Sequence, residues 1–188
     1  MSDEAEAATA GHPQRWQRDA WDIEPDSINL ALRSLSPRTT GVIIREAFYG
    51  TRRFDDFERH CGISPSVLSA RLRDLVADGI LEKTRYRAPG ARGRDEYRLT
   101  DKGRSLLPVL IALNDWAERW IVPDGAATTS LLHQECGSPV RTAVTCTSGH
   151  EITAPGQVVA TPGPGARPAP APRPPSASVS ATGSESES

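Results

Sequence analysis

The sequence predicts a mainly α fold with one small β-hairpin, an α+β architecture, on three observations. Apolar residues recur at helical spacing in several punctuated segments between residues 26 and 121. The most structured of these, RRFDDFERHCGISPSVLSARLRDLVADGIL from Arg52 to Leu81, holds two helices joined by a tight turn. Directly after it, two short runs of alternating residues flank the Pro/Gly loop RAPGARG. Together these predict a winged helix-turn-helix, followed by a small C-terminal extension and a disordered tail.

Residues 1–22 are rich in Ala, Glu, Asp and Thr and predict a flexible arm, with Trp16 and Trp21 at its end expected to touch the body. Asp26 or Ser27 can cap a helix over INLALRSL, with Ile28, Leu32 and Leu35 on one side and Ser36-Pro37 at its end. Val42 to Phe48 reads as a second helix, stopping at Gly50. Asp55 is expected to cap the third, with Glu58 as the return half of a capping box. That helix stops at Gly62, which tolerates the left-handed conformation past a helix end. Ser64 caps the fourth helix and Pro65 takes its first position, where a missing N–H costs nothing. Ile80 to Tyr86 and Arg94 to Leu99 make the two strands of the wing. Thr100 then caps a long helix, TDKGRSLLPVLIALNDWAERW, whose interior Gly103 and Pro108 predict a distorted start.

The fourth helix carries two faces. Val67, Leu68, Leu72, Leu75 and Val76 form an apolar stripe, while Ser66, Ser69, Ala70 and Arg73 lie opposite at i, i+3, i+4, i+7. Three small residues let the backbone approach another surface, and Arg73 is a long forked donor flanked by Arg71. A solvated helix face would look much the same. The wing separates the readings, because folding does not require Arg87 and Arg92 on a loop with Arg85 and Arg94 at its base, whereas phosphate or minor-groove contact does. Charge distribution points the same way. The chain has a net charge of −2, yet residues 38–104 hold fifteen basic and ten acidic residues, a net of +5. In the last long helix, Leu106, Leu110, Leu113, Trp116 and Trp120 form a stripe wider than one small core needs, so dimerisation through it and through Leu32 and Leu35 is expected.

From about residue 26 to 121 the chain resembles the HxlR-type family of bacterial winged-helix regulators. The resemblance rests on IIREAFYGTRRFDDFERHCGISPSVLSARLRDLVADGIL and EYRLTDKGRSLLPVLIALNDW, with the order RRF, GIS-x-x-VLS-x-RL-x-x-L and YRLT-x-KGR, over about half the chain. It implies a homodimeric transcription factor whose first and last long helices form the interface, with Ser64, Ser66, Ser69, Arg71 and Arg73 meeting the operator and Arg52 and Arg53 beside them. Many members carry a redox-sensing Cys at the start of the first helix and a Trp before the second; here those positions are Asp26 and Thr39. The family's thiol switch is therefore not expected. Cys61 reads as a packed apolar residue instead.

Beyond Pro123, His133-x2-Cys136 and Cys146-x3-His150 frame a nine-residue spacer. Such a set of nitrogen and sulfur donors suits four-coordinate zinc. The competing reading is a small hairpin, VRTAVTC with HEITAPGQVVA, packed on the dimer helices, and the same segment could close over an effector pocket. From Pro155 onward Pro, Ala, Gly and Ser dominate and predict a disordered tail ending in SESES. The expected organisation is thus an arm (1–22), a DNA-binding and dimerisation domain (23–122), an extension (123–160) and a tail (161–188). No apolar run approaches a membrane span, and three Cys fit reduced thiols, so a cytoplasmic protein is expected. Phosphate loops and nucleophile elbows are missing, and the four His are scattered, which argues against an enzyme. The expected partners are double-stranded DNA, a second copy of the chain and a small-molecule effector. A winged scaffold that binds only a small molecule or protein is the alternative.

Overall fold

A computed structural model describes residues 17–24, 26–86 and 94–169. They fall into two compact units. In the smaller, β1 (Trp21–Asp22) pairs antiparallel with β4 (Arg167–Pro168), with Trp21 opposite Pro168 and Asp22 opposite Arg167. Arg167 lies 3.6 Å from the Asp22 carboxylate. Residues expected in the tail therefore supply a strand, while Trp16 and residues 170–188 lie outside the described residues.

The larger unit, Pro25–Gln157, carries the helix-turn-helix. Helix α1 (Ser27–Leu35) is capped by Asp26, whose carboxylate accepts from the Ile28 and Asn29 amides at 2.7 and 3.0 Å. Helix α2 (Arg38–Phe48) starts a full turn before the expected Val42, because its first turn, RTTG, is polar and shows no apolar periodicity. Helix α3 spans Phe54–Cys61. Its N-cap is Arg53 rather than Asp55, and no side chain caps it, so the expected capping box with Glu58 does not form. The wing sets this boundary: Arg52 accepts from the Tyr97 amide at 2.8 Å and Arg53 bridges to Glu96. Gly62 ends α3 at φ 61°, left-handed as expected.

Helix α4 (Pro65–Ala77) begins after Ser64, with Pro65 in its first turn. The Ser64 hydroxyl does not cap the helix but lies 3.4 Å from that of Ser66. Strands β2 (Leu81–Tyr86) and β3 (Arg94–Leu99) pair in register from Leu81↔Leu99 to Tyr86↔Arg94. The expected long helix is two: α5 (Asp101–Arg104) and α6 (Leu107–Trp120). Pro108 sits in the first turn of α6, where its missing N–H and its clash with the preceding turn break the helix.

Thr100, Lys102, Gly103 and Arg104 fix that junction. Thr100 Oγ1 accepts from the Gly103 amide at 3.0 Å and donates to the Gly79 carbonyl at 2.6 Å. Lys102 donates to the Asp78 carbonyl at the C-terminal end of α4, and Arg104 to the Leu99 carbonyl, both at 2.6 Å. A side chain at Gly103 would overlap the Ile80 carbonyl oxygen, so only glycine fits. The core sits between α2, α3, α4 and the base of the wing: Ile43, Ile44, Phe57, Leu68, Leu72, Leu75, Ile80 and Leu81 are fully buried. Each such side chain contributes roughly 1.5–3 kcal/mol. Phe57 meets Tyr97 edge-on at 6.4 Å between ring centres, tying α3 to the wing.

Candidate nucleic-acid interface

Burying Leu68, Leu72 and Leu75 turns the other side of α4 outward. Ser64, Ser66, Ser69 and Arg73 are exposed, with Ala70 half-buried beside them. Arg73 makes no ion pair or hydrogen bond among the described residues, so its guanidinium is available. Arg71 is not. It bonds Asp74 at 2.8 Å, its side chain is 32% exposed, and its Nε is buried without a partner. Val67, read as part of the apolar stripe, is 40% exposed next to Ser66. It adds an apolar contact to this face that spacing alone assigned to the core.

Other cations around α4 divide the same way. Arg52 and Arg85 are exposed and unpaired among the described residues. Arg53 lies 3.9 Å from Glu96, which also binds Arg98 at 3.0 Å. Lys83 binds Asp95 at 2.8 Å, and that hydrogen bond raises its pKa above the ordinary lysine value. Arg87 and Arg92 lie outside the described residues, as does the side chain of Arg94. Among the described residues, the helix-turn-helix and wing thus offer free guanidiniums at Arg52, Arg73 and Arg85, amid cations already neutralised by partners.

Two buried carboxylates hold this face in place, and neither was legible as buried. Glu96 is 7% exposed in β3 and gathers Arg53 and Arg98. Glu46, also 7% exposed, bonds Arg45 at 2.8 Å through one oxygen, and its other oxygen lies 3.3 Å from Thr51 Oγ1 and 3.5 Å from His60 Nδ1. Thr51 and His60 are themselves 3.1 Å apart. Buried charge is costly unless paired, so these contacts fix α2 against α3. An acid on a helix ordinarily reads as solvated, which hides Glu46 in the sequence.

Of the residues expected at a dimer interface, Leu35, Leu106 and Leu110 pack against the core. Leu32 (59% exposed), Leu113 (56%), Trp116 (56%) and Trp120 (67%) remain uncovered, joined by Ile28, Leu107, Val109 and Ile121. An apolar stripe cannot say which of its members the chain's own core takes. Among the described residues no helix is long and apolar enough to cross a membrane.

The extension, residues 123–157, forms two small turns, the second pairing the end of VRTAVTC with HEITA as the hairpin reading expected, with the Ile152 amide donating to the Val144 carbonyl at 2.8 Å. One is closed by the Leu132↔Pro139 bridge and brings His133 Nδ1 to 3.3 Å from Cys136 Sγ. The other is closed by Thr145↔Glu151 and brings Cys146 Sγ to 3.5 Å from His150 Nδ1. The expected four-ligand set therefore resolves into two pairs, and no group of three or more His, Cys, Asp or Glu that could hold a metal is assembled among the described residues. Hydrogen bonds from Ser138 hold the Cys136 thiol below its ordinary pKa, and the His150 and Ser148 amides do the same for Cys146. Burial, then the charge of Glu46, pushes Cys61 up, in keeping with a packed residue.

The sequence profile of the HxlR-like helix-turn-helix family matches residues 34–124. The HTH-type transcriptional regulator Rv3095 of Mycobacterium tuberculosis, itself uncharacterized, is 38% identical over 143 residues, 76% of this chain and 89% of the relative. YvaP of Bacillus subtilis, another uncharacterized HTH-type regulator, is 37% identical over 94 residues, 50% of this chain and 85% of its own length. Among solved structures, the transcription-factor candidate PA1607 aligns with a TM-score of 0.63 at 30% identity, covering 70% of this chain and 92% of that one. PA1374 from Pseudomonas aeruginosa aligns at 0.52 and 30% identity, covering 73% and 92%.

Proposed function

The chain belongs to the HxlR-like helix-turn-helix family, and from that membership we propose that it is a sequence-specific DNA-binding regulator of transcription. It acts in the cytoplasm as a homodimer, carries out no catalysis, and answers to a small-molecule effector. Arg73 carries the reading: its guanidinium, unpaired among the described residues, lies on the outer face of α4, the helix whose inner face buries Leu68, Leu72 and Leu75. In a major groove it would reach a base edge, most readily the O6 and N7 of guanine. Ser64, Ser66 and Ser69 would let the helix approach closely, and Arg52 with the wing arginines would bind phosphate or minor groove.

The uncovered apolar faces of α1 and α6 support the dimer. Trp116 and Trp120 are each more than half exposed, and contiguous apolar surface of this kind marks an interaction site. A twofold dimer would present two α4 helices, so the operator should be a near-palindrome with half-sites about one helical turn, or a small multiple, apart. The test is binding to the intergenic DNA beside the protein's own coding region, against scrambled DNA of equal length, at several salt concentrations. Specific retention with a steep salt slope is expected, since phosphate neutralisation releases counterions. Salt-insensitive or absent retention would instead favour a scaffold that binds only a small molecule or a protein.

A further inference from the structure

Helices α2 and α6 flank an open cavity of about 430 Å³, also lined by Leu131 from the extension. The Thr142 amide donates to Asp115 of α6 at 2.7 Å and fastens the extension there. The cavity has the size of a site for one small molecule. Gly41 lies along it at the end of the first turn of α2, and glycine within a helix costs up to roughly 1 kcal/mol relative to alanine. A Cβ there would meet nothing within 4 Å, so no packing contact requires the glycine. What it leaves is room.

Phe48, Ile111 and Leu113 make the walls apolar. The charged side chains lining the cavity are Arg38 and Arg45, with no acid among the described residues there. Arg38 is exposed and has no ion pair among the described residues. Arg45 lies 5.9 Å over the Tyr49 ring, another cavity residue, and its guanidinium bonds the buried Glu46. Glu46 in turn holds Thr51 and His60 at the entrance to the helix-turn-helix. One side chain, Arg45, therefore belongs both to the cavity and to the network that positions α3.

We propose that this cavity binds a small aromatic or apolar anion, and that its charged group draws Arg45 away from Glu46, so that occupancy alters how α2 holds the helix-turn-helix. The DNA consequence rests on the regulator reading above; the binding site itself does not. Among the rival occupants is a second copy of the chain, since Leu107 and Leu113 also face outward. The two cations and the glycine-made space favour the small anion, because a dimer seam gains from filling and from neutrality.

Fluorescence titration of the full chain tests the proposal with 8-anilinonaphthalene-1-sulfonate and its uncharged analogue N-phenyl-1-naphthylamine. One sulfonate probe per chain should bind, tighter than the neutral one by about tenfold, as a charge-assisted contact provides. Gly41→Leu should fill the cavity and weaken both probes by at least about tenfold without lowering the melting temperature. Arg45→Gln should reduce the sulfonate to the affinity of the neutral probe and leave the neutral probe unchanged. The sulfonate should shift wild-type affinity for the intergenic DNA and leave that of Arg45→Gln unmoved. Equal affinity of the two probes, unchanged binding to Gly41→Leu, or dissociation of a dimer by Gly41→Leu would each overturn the proposal. If the wild type binds the sulfonate as described but retains no DNA, the regulator reading fails and the cavity stands.

Discussion

Replacing Arg73 with alanine separates recognition from folding. Its side chain is exposed and unpaired among the described residues, so its removal leaves no buried partner behind. Stability should change by no more than about 0.5 kcal/mol, or roughly 2–4 °C in melting temperature for a domain of this size. On specific DNA the loss of one bidentate base contact should cost about 1–3 kcal/mol, roughly 5- to 150-fold in affinity. Non-specific binding should fall much less, and discrimination should relax at one position in each half-site. Arg71→Ala is the control. It removes an exposed-side ion pair with Asp74, worth on the order of 0.5 kcal/mol, and should leave sequence preference intact. The Arg87→Ala/Arg92→Ala double variant should weaken specific and scrambled DNA alike and lower the salt slope by roughly one per lost phosphate contact. Fluorescence anisotropy on both DNAs at three salt concentrations reads all three variants. Unchanged sequence preference in Arg73→Ala, or loss of preference in Arg71→Ala with Arg73 present, would refute the assignment.

Trp116→Glu and Trp120→Glu place a charge on the uncovered face of α6 without touching the buried core, and both should yield folded monomers in sedimentation; intact dimers in both would move the interface elsewhere. Phe57→Ala removes a fully buried ring that joins α3 to Tyr97, and denaturant unfolding should register a loss of about 3–5 kcal/mol. A loss under about 1 kcal/mol would mean this core is not the one described. Alkylation rate tracks the thiolate, so Cys136 and Cys146, with pKa values below the ordinary thiol value, should react at lower pH than Cys61, whose pKa lies above it. Peptide mass mapping after iodoacetamide at graded pH checks the order, and labelling of Cys61 first would contradict it.

The helix-turn-helix was legible because its ends are set by local chemistry. Gly62 and Gly79 take positive φ, Pro65 opens α4, and Thr100 caps α5, each a property of one residue and its immediate neighbours. The two wing strands were legible from alternation in the same way. What escaped the sequence depends on distant partners. The start of α3 is fixed by Tyr97 and Glu96, some forty residues downstream, so Asp55 loses the cap that its spacing with Glu58 suggested. Pro108 announced a disturbance, but a kink and a full break between α5 and α6 look alike until Gly103 is seen against the Ile80 carbonyl. Leu106 and Leu110 repeat in phase with Leu113, and only tertiary packing assigns the first two to the core.

The arginines show why charge counting alone does not name contacts. Residues 38–104 carry an excess of five positive charges, yet Arg53, Arg59, Arg71, Arg98 and Arg104 each lie within ion-pair distance of a carboxylate of this chain. A paired surface guanidinium must surrender its partner before it can serve DNA, whereas a free one gives up only water. Discrimination should therefore concentrate on Arg73, and the paired arginines should act mainly by holding α3 and the wing where Arg73 can reach a base. This division also fits the two buried glutamates: Glu46 and Glu96 anchor the two elements flanking α4, α3 and the wing, through side chains turned into the fold.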